Sequence, residues 1–309
     1  MSRKLRGNLM LLATAMIWGI AFVAQSDGLN YVGPFTYNAC RTLLGGIVLI
    51  PVIALLRAVN PEKRRETDKP SLKNTVKGGI CCGILLFTAS SLQQVGIGMT
   101  TVGKAGFITA LYIVIVPVIA VILYRRTTLK VWLCAAAAVA GFYLLCIKEG
   151  FSVSAGDLFV LLCAVFFAVH ITVIDRFNAK NTDGTIMSCI QFFTAGTIML
   201  ICMFIFEKPD IGAILSAWLP IVYGGVMSCG VAYTLQILGQ RYTDPAVATL
   251  LMSLESVFAA LSGWLLLGET MSLKELAGCA LVFAAVIAAQ LDIKGMFRKK
   301  EKTDEKTTQ

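Results

Sequence analysis

Charge is scarce in this chain of 309 residues. Asp, Glu, Lys and Arg make up only 15% of it, against about 25% in soluble domains. Hydrophobic residues reach 57% and the mean hydropathy is +0.77. A soluble fold could not hide that much apolar surface, so two ordinary soluble domains are excluded. Histidine occurs once, at His170, which argues against zinc chemistry. None of the ten cysteines belongs to a CxxC pair. Buried cysteine behaves as a small hydrophobe, so neither a disulfide framework nor a thiolate metal site is implied. No GxxxxGK[ST] loop occurs, which removes the usual cradle for ATP phosphates. No HExxH motif and no aspartate pair occurs within the apolar runs, which removes the commonest intramembrane hydrolases. No cofactor and no metal are expected.

What the chain does have is apolar runs of membrane-spanning length, almost without pause. They cover 8–25, 35–56, 76–97, 102–123, 131–147, 156–174, 185–206, 219–239, 246–267 and 273–291. The fifth is the shortest, at about 25 Å of helical rise. The N-terminal stretch has the charge of a signal peptide, but its apolar run is long and no small-x-small cleavage site ends it. It is read as span 1.

With ten spans both termini share a side. Twenty-two Lys and Arg fall on that face and three on the other, while Arg41 and Lys104 lie within spans. The positive-inside rule makes the crowded face cytoplasmic. The net charge of +9 is therefore a topology signal and not a nucleic-acid patch.

The chain also repeats itself. "GNLMLLATAMIWG" from Gly7 aligns without gaps on "GDLFVLLCAVFFA" from Gly156, and "ASSLQQVGIGMTT" from Ala89 aligns on "AYTLQILGQRYTD" from Ala232. The second match pairs Gln93 with Gln236 and Gly96 with Gly239. Both preserve the order of spans, 1 with 6 and 3 with 8. Five spans per repeat is an odd number, so the second half must cross the membrane upside down. The loops agree: "RRTTLK" follows span 4 and "GETMSLK" follows span 9. The expected fold is an all-α polytopic membrane protein with ten transmembrane helices in two inverted five-helix repeats. Repeat 1 covers 7–147, repeat 2 covers 156–291, and 292–309 forms a charged cytoplasmic tail. Inverted repeats usually enclose a central site and rock around it.

Five stretches carry a family resemblance: "AMIWGIAFVA", "RTLLGGIVL", "TTVGKAGFITALYIVIVPVIA", "GDLFVLLCAVFFAVH" and "YTDPAVATLLMSLESVFAALSGWLLLGE". They resemble the drug/metabolite transporter superfamily, EamA type, from about Gly7 to Leu291. The resemblance implies two five-helix repeats, cytoplasmic termini and transport, and says little about substrate. In two respects the chain departs from the family. Ser256 follows the span-9 Glu where the family often has Pro, and the Gly-Glu ending of span 9 is absent after span 4.

Polar residues inside the spans are the candidates for a site. Glu255 is the only acid deep within a span, halfway along span 9, and an unpaired charge there costs several kcal/mol or is neutralised. Its four-residue neighbours Leu251 and Ala259 are apolar, so its partners must come from other spans. Arg41, Lys104 and a neutral tyrosine or glutamine network are the options. Intramembrane ionisable residues are functional by default. Arg41 is either a topology-fixing arginine or a contact for an anion or for Glu255; Lys104 lies near the outer end of span 4, where snorkelling is easy. His170 is either a satisfied neutral core histidine or a proton relay. Trp18 is too deep to be an interface anchor.

The substrate-cavity candidates are Trp18, Arg41, Gln93, Gln94, Lys104, Tyr112, Tyr233, Gln236, Ser253 and Glu255. Glu255 and His170 are the candidates for proton or charge coupling. Pro117, which removes one backbone hydrogen bond in span 4, is the hinge candidate. The sequence as a whole reads as a secondary carrier in the cytoplasmic membrane, an exporter of a small metabolite, driven by substrate gradients or protons. Within transport the alternative is an exchanger of anionic metabolites such as sugar phosphates or nucleotide sugars. Outside it stand a non-transporting membrane subunit and an intramembrane enzyme.

Overall fold

The computed structural model describes residues 2–59, 70–100, 102–123, 128–146, 154–267 and 272–290, and among them it contains helices and no strand. The helices are α1 (Arg3–Gly28), α2 (Pro34–Val59), α3 (Leu72–Ile97), α4 (Val102–Thr109), α5 (Tyr112–Ile122), α6 (Leu129–Cys146), α7 (Ala155–Asn178), α8 (Gly184–Phe206) and α9 (Ile211–Ser216). Then follow α10 (Trp218–Val222), a π-helical stretch (Tyr223–Tyr233), α11 (Thr234–Gln240), α12 (Pro245–Met252), α13 (Glu255–Leu267) and α14 (Leu273–Gln290).

Eight helical spans among the described residues are long and apolar enough to cross a membrane. Several counted there join adjacent segments, such as Ala105–Ile122 across α4 and α5. The expected fifth and tenth spans are helical as well, in α6 and α14, but are not among the eight.

Local chemistry fixes where the helices start. Ser154 and Asp157 form a reciprocal capping box at α7, each side chain accepting from the other's backbone N–H. Asp183 caps α8 and Asp210 caps α9. At α12, Asp244 accepts from the N–H of Ala246 at 2.9 Å and Pro245 stands in the first turn, where its missing N–H costs nothing. The start of α2 is capped from another helix. The carboxylate of Glu207, at the end of α8, accepts from the N–H groups of Phe35 and Thr36 at 2.8 Å each and from the Thr36 hydroxyl at 2.6 Å.

Two expected helices are interrupted. Span 4 breaks at Ala110–Leu111 and span 9 at Ser253–Leu254. At both breaks the backbone switches to bonds three residues back: Leu111 N–H to Ile108 O, Ile113 N–H to Ala110 O, Leu254 N–H to Leu251 O and Ser256 N–H to Ser253 O. The break in span 4 therefore lies well before Pro117, which sits inside α5. Span 8 is helical throughout, but its centre is wound as a wide π stretch rich in glycine.

The helices pack as pairs. α3 lies against α7 and α8, α2 against α8 and the π stretch, α6 against α14, and α1 against α11, α13 and the π stretch. Glycine permits two close crossings. A Cβ on Gly7 would stand 2.9 Å from the carbonyl oxygen of Gly239, and one on Gly239 3.1 Å from that of Gly7. Likewise Gly96 would meet Gly156 O at 2.9 Å and Gly156 would meet Gly96 O at 3.0 Å. Small residues at such points let backbones approach. Large apolar side chains such as Leu55, Leu133, Phe204 and Leu265 stand outward and exposed. So broad an apolar exterior suits lipid and not water.

Candidate functional site

Near the centre of the bundle the helices leave a cavity. It is narrow. Room for the centres of water molecules is about 30 Å³, enough for roughly two waters at ~10–15 Å³ each. This conformation is contracted around solvent-sized contents.

Seven of the ten sequence-predicted cavity residues line this one space: Trp18, Arg41, Gln93, Tyr112, Tyr233, Gln236 and Glu255. They come from α1, α2, α3, α5, the π stretch, α11 and α13. Ala21, Phe22, Gln25, Thr109, Phe167, Ile171 and Ser228 complete the wall.

Glu255 is 4% exposed and accepts a hydrogen bond from the Tyr112 hydroxyl at 2.9 Å. Its partner is thus the neutral tyrosine among the options weighed above. Arg41 is not its counter-ion: no ion pair joins them, although both face the same cavity. Arg41 donates from Nε to Asn38 Oδ1 at 2.8 Å, and Asn38 Nδ2 donates to the Ser90 carbonyl at 3.0 Å. Tyr37 lies beside the guanidinium, 5.4 Å from ring centroid to Cζ. The arginine is therefore held in place by neighbours on its own helix. Gln93 donates to the Thr109 hydroxyl at 3.3 Å. Gln236 Oε1 is buried with no hydrogen-bond partner among the described residues, an acceptor left for water or a ligand. Tyr233 anchors an aromatic cluster, edge-on to Trp18 at 4.7 Å and to Phe192 at 5.7 Å between centroids.

The other candidates lie elsewhere. Gln94 is buried but donates to the backbone of Gln25 at 3.0 Å, between α3 and α1. Ser253 is buried and returns its hydroxyl to Leu250 O on its own helix at 2.9 Å, which helps to satisfy the backbone at the interruption. The Lys104 side chain lies outside the described residues. His170 is fully buried one layer behind the wall, with Nε2 3.1 Å from Gln191 Oε1 and its ring edge-on to Tyr233 at 6.2 Å. Pro117 is buried in α5 and does not mark the break in span 4. Sequence reasoning missed Gln25. It lies one helical turn plus three residues beyond Trp18, on the same face of α1, and that spacing was the available signal. Among the described residues no three His, Cys, Asp or Glu side chains gather as a metal site.

Among the described residues, an all-helical bundle with an apolar exterior is that of a multi-pass membrane protein. Comparison with known proteins gives the family. The model of the EamA-like transporter family matches residues 5–147 and again 154–289, and the chain belongs to that family. It is 28% identical over 297 residues to an uncharacterized transporter of Archaeoglobus fulgidus, covering 94% of this chain and 88% of that one. It is 26% identical over 290 residues to the uncharacterized inner membrane transporter YedA of Escherichia coli K12, covering 90% and 88%. A solved crystal structure matches with a TM-score of 0.74 over 94% of this chain and 98% of the other. At 19% identity that likeness is one of fold alone.

Proposed function

We propose that the protein is a secondary-active carrier that exports a small metabolite across the cytoplasmic membrane by alternating access around the central cavity. In this reading ten spans form two inverted repeats, 7–147 and 156–291, with both termini and the 292–309 tail in the cytoplasm. Span 4 is then α4 with α5, span 8 is α10 with the π stretch and α11, and span 9 is α12 with α13.

One observation carries the reading: residues equivalent under the repeat meet each other. Aligning Gly96 on Gly239 and continuing without a gap pairs Tyr112 with Glu255. Those two share a hydrogen bond at 2.9 Å, and each is the first residue after its helix interruption. The same register pairs Gln93 with Gln236, both on the cavity wall. The crossings agree as well. The repeat exchanges Gly7 with Gly156 and Gly239 with Gly96, so it turns the α1/α11 crossing into the α3/α7 crossing. A site at the junction of two such halves, bordered by discontinuous helices, is where rocking carriers bind and release. The contracted cavity must widen toward one face and then the other.

The test is flux. Purified protein in liposomes is expected to release a preloaded solute from a mixture of amino acids, organic acids, nucleosides and sugars, faster than protein-free liposomes. Substitution of Gly96 by Val, at the α3/α7 crossing, is expected to slow that release. Liposomes that stay tight to every solute class would overturn the carrier reading.

A further inference from the structure

We propose that the central cavity selects monocarboxylates with an apolar body, the carboxylate lying on Arg41 and the body among Trp18, Phe22 and Phe167. This assigns a substrate class to the carrier described above and rests on that reading.

The argument starts from a charge without an ion partner. Arg41 is 3% exposed and belongs to the cavity wall. Only its Nε is bonded, to Asn38. Among the described residues its terminal nitrogens find no hydrogen-bond acceptor and no carboxylate pairs with it. A buried guanidinium so placed is costly until something anionic neutralises it. Meanwhile the position is built and not accidental. Asn38 fixes the near edge of the fork and is itself tied to Ser90 O. The Tyr37 ring flanks it. Gly224 clears its path, since a Cβ there would stand 3.1 Å from Arg41 Cδ. Pinning Nε leaves the Nη pair as a planar fork, the geometry that takes two oxygens of one carboxylate.

Charge count separates carboxylate from phosphate. Arg41 is the one cation on the described wall, and Glu255 faces the same space. One negative charge balances the arginine, whereas a dianionic phosphate would leave charge uncompensated beside an acid in a poorly solvated site. An amine is also disfavoured. A cation would have to share the cavity with Arg41. Trp18, Phe22 and Phe167 on the same wall suit a hydrocarbon body.

The experiment compares four probes that share one body: 3-phenylpropanoate, 3-phenylpropylamine, 3-phenylpropanol and phenylalanine. Each is tested by thermal shift and by efflux from proteoliposomes. A ligand that binds the folded form raises its apparent stability. The expected result is a rise in unfolding temperature with 3-phenylpropanoate and none with the amine or the alcohol, together with efflux of the carboxylate. R41K should weaken the response severalfold, because an ammonium cannot offer two parallel bonds, and R41Q should abolish it. The unliganded unfolding temperature shows that each variant is folded. Equal shifts from amine or alcohol, a response to phenylalanine but not to phenylpropanoate, or an undiminished response in folded R41Q would each overturn the proposal. Efflux of neutral or cationic solutes without any carboxylate response would sink this substrate class and leave the carrier reading standing. Carboxylate binding in liposomes that stay tight to all solutes would do the reverse.

Discussion

Tyr112 donates its hydroxyl proton to Glu255 Oε1 at 2.9 Å, and the two residues open the second halves of two interrupted helices, α5 and α13. A carboxyl group in apolar surroundings is bound here by a neutral donor and not by a cation. That distinction has consequences for substitution. Breaking a buried ion pair leaves a bare charge and costs about 3–5 kcal/mol. Replacing Glu255 by Gln keeps an oxygen to accept the Tyr112 hydroxyl and strands no cation. Glu255→Gln is therefore expected to lower stability by less than about 1.5 kcal/mol, the scale of one neutral hydrogen bond, as read from thermal unfolding in detergent. If Glu255 manages protons during transport, the same variant should fold normally, still move solute and lose the pH dependence of flux. A folded variant with a wild-type rate and pH profile would remove Glu255 from that role. Tyr112→Phe leaves the titrating group in place, so its flux should stay pH-dependent with a displaced midpoint.

Much of this was legible from residue types alone. Hydropathy marked where helices run, and the repeat of Gln93 and Gln236 pointed to one shared space that both now line. The partner of Glu255 was not legible, because Arg41, Lys104 and a tyrosine were all chemically adequate and only the packing of α5 against α12 and its neighbours decides among them. Nor were the interruptions. Ala110–Leu111 and Ser253–Leu254 carry neither Gly nor Pro, so local propensity gives no warning, while Pro117, which does carry one, lies in a continuous helix. The π stretch had a cue in Gly224, Gly225 and Gly230. Three glycines weaken an α-helix, but sequence does not say how the turn will widen. Gln94 shows the limit of face arguments: adjacent to Gln93, it turns to the backbone of α1 and not to the cavity.

Orientation is open to a direct measurement. α2 has 26 residues, about 39 Å of rise, with Asn30 just before its start and Ala58 in its last turn. Single cysteines at these positions, in an otherwise cysteine-free chain, are expected to react with a membrane-impermeant thiol reagent from opposite sides. Asn30 should be labelled in intact cells and Ala58 only after permeabilisation. Labelling of both from one side would break the span assignment, and reversal of the two would overturn the cytoplasmic placement of the termini.

Glu207 gives a test of how α2 is held. Its carboxylate receives three hydrogen bonds at the start of that helix, from Phe35 N–H, Thr36 N–H and the Thr36 hydroxyl. An acid at a helix N-terminus satisfies orphan donors and meets the positive end of the helix dipole. Glu207→Ala should cost about 1–2 kcal/mol, in the range of a lost helix cap, seen as a lower unfolding temperature in detergent. Glu207→Gln, which keeps an acceptor but loses the charge, should recover part of it. Because α2 also carries Arg41, the Ala variant is expected to weaken carboxylate binding, whereas a helix held mainly by its packing would show neither effect.

The glycine crossings make the most demanding prediction, since it concerns equality. Gly96 and Gly239 are equivalent under the repeat, and a Cβ on either would press a facing carbonyl at about the same distance, 2.9 Å on Gly156 O and 3.1 Å on Gly7 O. Both also meet an apolar side chain, Val160 Cγ2 at 2.5 Å and Leu11 Cγ at 2.9 Å. Overpacking of this kind typically costs about 1–3 kcal/mol, because the helices must part to admit the side chain. Gly96→Val and Gly239→Val are therefore each expected to fall in that range and to match one another within about 1 kcal/mol. Gly98, whose nearest neighbour to a built Cβ is 3.5 Å away, is the control: Gly98→Ala should change stability little. Two halves built from one repeat should tolerate the same insult equally. A large loss at one crossing with none at the other would mean that the two crossings do not bear on the fold alike, and would weaken the case for an inverted repeat.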